Sequence, residues 1–171
     1  IGTLINEAVY LHPMAWKLAV ECLLKRADKL QMTLEKILPW YNDYAPTCGE
    51  PYILYNFYHG EETGYRYGTP GQSWRTASGQ WLLYSVVRFV YGLQPEFEGL
   101  LLRPCLPPAW KDCSVTKQFR DCEYRIHYLQ KDEGGCNRIE KLTINGVEAN
   151  PDQPIRPVAG ETLDIEVTLV K

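Results

Sequence analysis

Apolar residues in the first half of the chain recur at spacings of three and four positions, which is the pattern of one face of an α-helix. The first such run begins at His12-Pro13 and continues to Leu24, and its proline fits a first helical turn, where the missing N–H is not needed. Residues 27–29 are expected to interrupt the pattern, and a second helix is predicted for residues 30–38. A third run, residues 74–93, is apolar nearly all round, so we expect this helix to be packed between other elements.

Residues 41–73 connect the second and third predicted helices and are rich in Gly and Pro, which interrupt helices. We expect one short extended piece at residues 52–55. Connections of this length in a compact protein are usually functional or packed against a site. This one leads into the third helix through a loop in which Ser73, Thr76 and Ser78 lie close to the first turn.

The beginning of a helix is suited to hold an anion, because its first N–H groups have no intrahelical partner and the helix dipole is positive there. Ser73 and Thr76 therefore indicate a candidate anion site. The alternative is that they are N-caps, a common role of Ser and Thr at this position. His12, at the start of the first helix, has the same two interpretations, as an anion ligand or as a structural cap or buried imidazole.

After Pro95 the pattern changes to short runs of β-branched and large apolar residues, separated by turn residues. The predicted strands are residues 100–102, 114–119, 123–129, 139–144 and 163–170. The last strand alternates between apolar and polar positions, and Asn145-Gly146 is a strong signal for a tight turn. The pattern predicts a helical part over residues 1–95 and an antiparallel, sandwich-like β domain over residues 96–171.

The composition and charge of the chain limit the classes of function that it can have. The 171 residues carry a net charge of −3 and show no basic stripe of the kind that nucleic acid requires. No apolar run approaches the roughly 18 residues that cross a membrane. The 12 Tyr and 5 Trp supply rings that stack on sugars as well as filling cores. Because the chain begins at Ile1, without an initiator Met or a signal peptide, we expect it to be part of a longer cytoplasmic polypeptide.

Other residues that often carry chemistry are expected to be structural here. The six cysteines lack metal-ligand spacing, so we expect reduced, mostly buried thiols and no metal site. His59 and His127 are assigned structural or surface roles. Glu61-Glu62 is expected to be a solvated pair, because adjacent carboxylates rarely flank a substrate as catalytic pairs must.

Several short motifs follow one another along the chain in an order that resembles a known protein family. The motifs are Glu50-Pro51-Tyr52, Ser73-Trp74-x-Thr76, Tyr91-Gly92-Leu93-Gln94-Pro95, Gly99-Leu100 and Pro104-Cys105-Leu106-Pro107. In this order they resemble the C-terminal part of the inverting disaccharide phosphorylases of glycoside hydrolase family 94. The resemblance implies that residues 1–95 are the last helices of an (α/α)6 barrel of six hairpins, and that residues 96–171 are the closing β domain.

The resemblance also implies roles for four residues. His12 occupies the position of the family's phosphate-binding histidine, and Thr76 that of a threonine whose hydroxyl binds the same phosphate. Ala77 replaces the following glycine, so only its backbone amide carries over. Asn56 stands for a glutamine that contacts the sugar in the donor subsite. The lysine-glutamate pair that precedes the histidine in cellobiose-type enzymes is missing, which makes cellobiose itself a doubtful substrate.

The implied reaction is attack of inorganic phosphate on the anomeric carbon with inversion, which gives a sugar 1-phosphate. No cofactor is implied beyond phosphate as co-substrate. The general-acid aspartate of the family lies upstream, so the chain holds no catalytic residue and is expected to be inactive alone. The expected partners are a β-linked disaccharide or oligosaccharide, inorganic phosphate, the rest of its own polypeptide and a second copy in a homodimer, with neither nucleic acid nor membrane.

Two other functions remain open at this point. One is a non-catalytic carbohydrate-binding or assembly module, in which the β domain and the Tyr-rich loop bind a glycan or a partner subunit. The other is an inverting hydrolase on the same barrel. A hydrolase needs a carboxylate base where the phosphate would sit, and neither His12 nor Thr76 supplies one.

Overall fold

The structure, a computed structural model, describes residues 6–38, 48–73, 76–135 and 137–171. The chain forms two compact units that are interleaved in sequence. The first contains the described residues up to Val20 and those in Met32–Ser85, and the second contains Glu21–Gln31 and those in Val86–Lys171. The assignment of residues 1–95 to a helical barrel and of residues 96–171 to a separate β domain stays a prediction.

The first two helices are close to their predicted bounds: α1 is Leu11–Leu23 and α2 is Ala27–Ile37. The interruption expected at residues 27–29 is wrong, because these residues form the first turn of α2. The chain turns earlier, where Lys25 adopts a left-handed φ of 57°. The backbone N–H of Arg26 donates to the carbonyl of Glu21 at 2.9 Å and that of Lys25 to Cys22 at 3.0 Å, which is the Schellman ending of a helix.

The first unit also contains three short strands, β1 (Val9–Tyr10), β2 (Phe57–Tyr58) and β3 (Pro70–Gly71), which form an antiparallel sheet in the order β1-β2-β3. The extended piece predicted at residues 52–55 forms slightly later, as β2. A 3₁₀ segment, Glu61–Arg66, precedes β3.

The third helix is shorter than predicted, since α3 covers Ser78–Ser85. Its buried Ser85 donates a hydrogen bond to the carbonyl of Ala15 in α1 at 3.0 Å. The expectation that this helix is covered on all sides is wrong within the described residues, because Leu83 is 66% exposed and Tyr84 46% exposed. After α3 the backbone continues as a π-helical turn, Val86–Val90, in which the N–H of Tyr91 donates to Val86 at 2.9 Å.

The second unit is built on β-strands. They are β4 (Leu93–Pro95), β5 (Leu100–Leu102), β6 (Asp112–Phe119), β7 (Cys122–Gln130), β8 (Arg138–Ile144), β9 (Val147–Glu148) and β10 (Thr162–Val170). β4 pairs with β5, and the others form one sheet in the order β6-β7-β10-β8-β9. The expectation of purely antiparallel pairing is wrong at one place, because β10 runs parallel to β7. The β8-β9 hairpin lies between them in sequence and supplies the crossover that a parallel pair needs.

The alternation read from the last strand is confirmed. Leu163, Ile165 and Val167 are buried, whereas Asp164 and Glu166 are exposed. The neighbouring strand β7 contributes two fully buried tyrosines whose hydroxyl groups donate to carbonyls, Tyr124 to Ile155 at 3.2 Å and Tyr128 to Tyr91 at 2.7 Å. Burial raises the pKa of Tyr124 to about 12, and it raises that of Tyr128 further.

Two tight turns connect neighbouring strands of this sheet. Asn145 and Gly146, predicted as a turn, both have positive φ, 50° and 80°, as a two-residue hairpin turn matching the strand twist requires. Arg120 and Asp121 join β6 to β7 with φ of 51° and 58°. The second turn contains no glycine, so its left-handed backbone could not be recognised from composition.

The expectation of free, mostly buried thiols agrees with the described cysteines. Cys22, Cys105 and Cys122 are buried, Cys113 is half-buried and Cys48 is exposed, all as free thiols. Cys136 lies outside the described residues. Burial raises the pKa of Cys113 to about 11. Among the described helices, none combines the length and apolar character that crossing a bilayer demands.

His127 lies on the exposed face of the sheet between two carboxylates from neighbouring strands. Its Nδ1 is 2.6 Å from an oxygen of Glu166, and its Nε2 is 2.8 Å from an oxygen of Asp112. These two hydrogen bonds raise the pKa of the imidazole. His127 is therefore a structural cross-strand link, as expected from the sequence.

This link predicts a pH dependence of stability. Because the folded-state pKa of His127 is raised, its contribution is fully present below the unfolded value of about 6.5 and is lost as the pH rises through the folded value. The free energy of unfolding of the wild type should therefore fall towards that of His127→Gln with increasing pH. The pair is exposed, so we expect a difference below about 1 kcal/mol. Urea unfolding from pH 5 to 9 measures it, and a constant difference between the two proteins would contradict the assignment.

Candidate functional site

His12 is the second residue of α1, and its ring lies among aromatic side chains. The centroid of the imidazole is 4.9 Å from Trp16, 6.0 Å from Tyr10 and 6.2 Å from Trp81. The Nε2 atom is buried and has no hydrogen-bond partner among the described residues. Buried polar atoms are nearly always paired, so this nitrogen calls for a partner from outside the described chain.

The start of α1 is held close to Asn56. The N–H of Leu11, next to His12, donates to the carbonyl of Asn56 at 2.9 Å. Strand β1 then pairs with β2 in a register that places Tyr10 opposite Phe57. Backbone hydrogen bonds thus fix the position of Asn56 relative to the first turn of the helix that carries His12.

Thr76 lies two residues before the first residue of α3, Ser78, and its hydroxyl forms a cap-like contact with the start of the helix. Its Oγ1 accepts from the N–H of Ser78 at 3.1 Å and lies 2.7 Å from the Ser78 hydroxyl. The Thr76 hydroxyl also lies 3.4 Å from Oδ1 of Asn56, in donor geometry. Capping does not exclude ligand binding, because the cap places this hydroxyl at the positive end of the helix.

Asn56 is held by Gln72, a residue that the sequence analysis did not select. The Nδ2 of Asn56 donates to Oε1 of Gln72 at 2.9 Å, and Gln72 itself has a left-handed φ of 56°. A non-glycine residue in this conformation is uncommon and is worth attention near a candidate site. No local sequence signal marks Gln72, because its importance depends on a contact with a residue sixteen positions earlier.

The four residues selected from the sequence therefore lie in one neighbourhood of the first unit. His12 is tied to Asn56 through Leu11, and Asn56 is tied to Thr76 directly. Ala77 follows Thr76, and its carbonyl accepts from the N–H of Trp81, whose ring faces His12. Ser73 is described, whereas the adjacent Trp74 and Arg75 of the sequence motif lie outside the described residues.

The remaining candidates behave differently. Nδ1 of His59 is also buried without a partner among the described residues, and its ring contacts Phe57 at 5.0 Å between centroids. Glu61 and Glu62 are exposed, as expected for a solvated pair. Within the described part of the chain, no three His, Cys, Asp or Glu side chains come together as metal ligands.

Comparison with curated proteins shows similarity to disaccharide phosphorylases. The chain is 29% identical over 160 residues, 92% of its length, to solabiose phosphorylase of Paenibacillus borealis. It is also 29% identical over 157 residues, 90% of its length, to N,N'-diacetylchitobiose phosphorylase of Vibrio furnissii. A third relative, 3-O-beta-D-glucopyranosyl-beta-D-glucuronide phosphorylase of Paenibacillus borealis, is 28% identical over 147 residues, 85% of the chain.

These matches confirm the resemblance to carbohydrate phosphorylases that was predicted from the sequence motifs. They cover 20%, 19% and 19% of the three relatives, so the chain spans about a fifth of their length. No family model matches the chain.

Proposed function

We propose that this chain is the C-terminal part of an inverting carbohydrate phosphorylase of glycoside hydrolase family 94. The whole enzyme would cleave a β-linked disaccharide or oligosaccharide with inorganic phosphate and release a sugar 1-phosphate. His12, Thr76 and the backbone amide of Ala77 would bind the phosphate, and Asn56 would contact the sugar. The observation that carries this proposal is Nε2 of His12, which is buried without a partner among the described residues. The neighbouring Leu11 is bonded to Asn56, which in turn contacts Thr76.

Inorganic phosphate fits the chemistry of this neighbourhood. An imidazole N–H, a hydroxyl group and helical N–H groups are donors that a tetrahedral oxyanion accepts from several directions, and two helix starts add the positive ends of their dipoles. These groups would orient the phosphate oxygen for attack and offset its charge, without any covalent step on the protein. The general acid would come from the upstream polypeptide.

Exposed apolar side chains support the idea that the helices pack against further polypeptide. Trp16 is 47% exposed, Val20 49% and Leu83 66%. Helices of a barrel bury one face inside and another against their neighbours, so residues of this kind would be covered in a complete barrel. The length of the relatives, about five times that of the chain, is consistent with such a barrel.

The proposal is tested by product analysis combined with substitution of Thr76. The longer polypeptide that carries these residues should cleave a β-linked disaccharide only with phosphate present and give a sugar 1-phosphate, whereas the 171-residue chain should be inactive. Thr76→Val, which removes the hydroxyl, should raise KM for phosphate at least about tenfold, the effect of losing a hydrogen bond to a charged group. Thr76→Ser keeps the hydroxyl and should stay close to the wild type.

Three outcomes would contradict the proposal. Release of free sugar alone would indicate a hydrolase. Glycan binding by the longer polypeptide with no cleavage would favour the non-catalytic module. An equal change of the KM for phosphate in the Val and Ser variants would show that the Thr76 hydroxyl does not bind phosphate, because the two variants differ in that group.

A further inference from the structure

A cavity of about 460 Å³ lies in the second unit, and none of the residues assigned above to phosphate or sugar lines it. Three basic side chains line it, Lys25, Arg103 and Arg138, together with one carboxylate, Asp152. A smaller cavity of about 260 Å³ shares Lys25 and Arg103 with it. The larger volume is within the range of about 300–1,000 Å³ that holds small-molecule ligands in proteins.

Lys25 is held at the cavity at a cost to the backbone. It is the left-handed residue that ends α1, a position usually occupied by glycine. The left-handed conformation costs a residue with a Cβ about 1 kcal/mol or more. Its ammonium group donates to the carbonyls of Pro104 at 3.3 Å and Asn137 at 3.5 Å. An ammonium has three donors, so these two bonds leave one for a ligand.

The two arginines have different roles. Arg103 donates through Nη1 to the carbonyls of Leu102 and Pro151, at 3.1 and 3.0 Å, and through Nη2 to Asp152 at 3.0 Å. These bonds compensate the charge of Arg103 and hold its side chain in the wall of the cavity. Arg138 is the first residue of β8, is exposed, and forms no ion pair with another residue of the described chain. Its planar guanidinium keeps its donors for a ligand.

The lining therefore carries an excess of positive charge in a protein whose net charge is −3. Lys25 supplies a point charge and Arg138 a fork that matches two oxygens of a phosphate. Asn137 and Asp152 line the same cavity and can hydrogen-bond hydroxyl groups, whereas Leu102, which is buried, adds an apolar wall. A sugar phosphate requires cations for its phosphate group, polar groups for its hydroxyls and an apolar surface for its ring, and this lining has all three.

We propose that this cavity binds a phosphorylated monosaccharide, with the phosphate on Lys25 and Arg138. None of the residues assigned to the phosphorolysis site lines it, so the cavity binds the ligand independently of cleavage. The choice of a sugar 1-phosphate as its ligand rests on the proposed function, which would generate that product. The binding site itself rests on the cavity and its charges.

The test is calorimetric titration of the 171-residue chain with glucose 1-phosphate, with glucose 6-phosphate, inorganic phosphate and glucose as comparison ligands. Wild type should bind a sugar phosphate more tightly than phosphate or glucose, and binding should weaken with added salt. Arg138→Gln should weaken binding at least tenfold. Lys25→Gly should do the same without loss of stability, because glycine suits the left-handed position.

Two further variants make the result decisive. Lys141→Gln removes a charge from the same strand outside the cavity lining and should bind like the wild type. His12→Phe should also leave this binding unchanged. If Lys141→Gln weakens binding as much as Arg138→Gln, or if only inorganic phosphate binds, the inference is overturned. Loss of binding in His12→Phe alone would assign the ligand to the phosphorolysis site instead, whereas cavity binding in a polypeptide without phosphorolysis would refute only the proposed function.

Discussion

His12→Phe should abolish phosphate-dependent cleavage in the complete enzyme while leaving the 171-residue chain as stable as the wild type, or more so. Phenylalanine preserves the ring contacts with Tyr10, Trp16 and Trp81 but removes both nitrogens. Losing one preorganised donor to a reacting oxyanion costs about 100- to 1,000-fold in rate, or about 2.7–4 kcal/mol. Nε2 of His12 is buried without a partner among the described residues, so its removal relieves a penalty of about 1–3 kcal/mol.

The two effects are measured separately. Steady-state kinetics with varied phosphate gives kcat/KM for the longer polypeptide, and thermal unfolding gives Tm for the 171-residue chain. His59→Phe is a matched control, because Nδ1 of His59 is also buried without a partner among the described residues. A drop in Tm of His12→Phe together with unchanged cleavage would show that the imidazole is structural.

Gly92→Ala should destabilise the second unit by more than about 3 kcal/mol, a magnitude that only a few mechanisms produce. Gly92 has a φ of 70°, and a Cβ added there would lie 2.1 Å from the backbone carbon of Arg103. The carbonyl of Gly92 accepts from the N–H of Arg103 at 2.9 Å, so the two backbones cannot move apart without losing this bond. Urea unfolding measures the change.

Gly160→Ala is the matched control for this substitution. Gly160 has a similar φ of 75°, but nothing lies within 4 Å of an added Cβ. Only the conformational cost of about 1 kcal/mol is then expected. Similar losses of stability in the two variants would mean that the positive φ alone sets the cost at Gly92. The close approach of the Arg103 backbone would then play no part.

Much of the local structure followed from the pattern of the chain. The first two helices, the alternation of the last strand and the Asn145-Gly146 turn each depend on neighbouring residues, and each forms close to where it was predicted. The break between the first two helices was misplaced, because lysine gives no sequence signal for the left-handed conformation that Lys25 adopts. The hydrogen bonds of its ammonium group to distant carbonyls offset the preference of lysine for a right-handed backbone.

The candidate site also combines features that the sequence predicted with features that only the structure showed. The residues themselves were selected through resemblance and helix-start chemistry, and their roles stay a prediction. Their surroundings were not predictable from spacing. The contact of Gln72 with Asn56, and the ring of Trp81 beside His12, join residues that are distant in sequence.

The sequence by itself determined the first two helices, the long strands of the second unit, the Asn145-Gly146 turn and the resemblance to carbohydrate phosphorylases, because these depend on local periodicity or on motif order. Only the tertiary structure decided the parallel pairing of β10 with β7, the burial of Nε2 of His12 without a partner among the described residues, and the basic cavity around Lys25 and Arg138. Strand order, burial and the meeting of charges arise from contacts between distant segments, which no local pattern encodes.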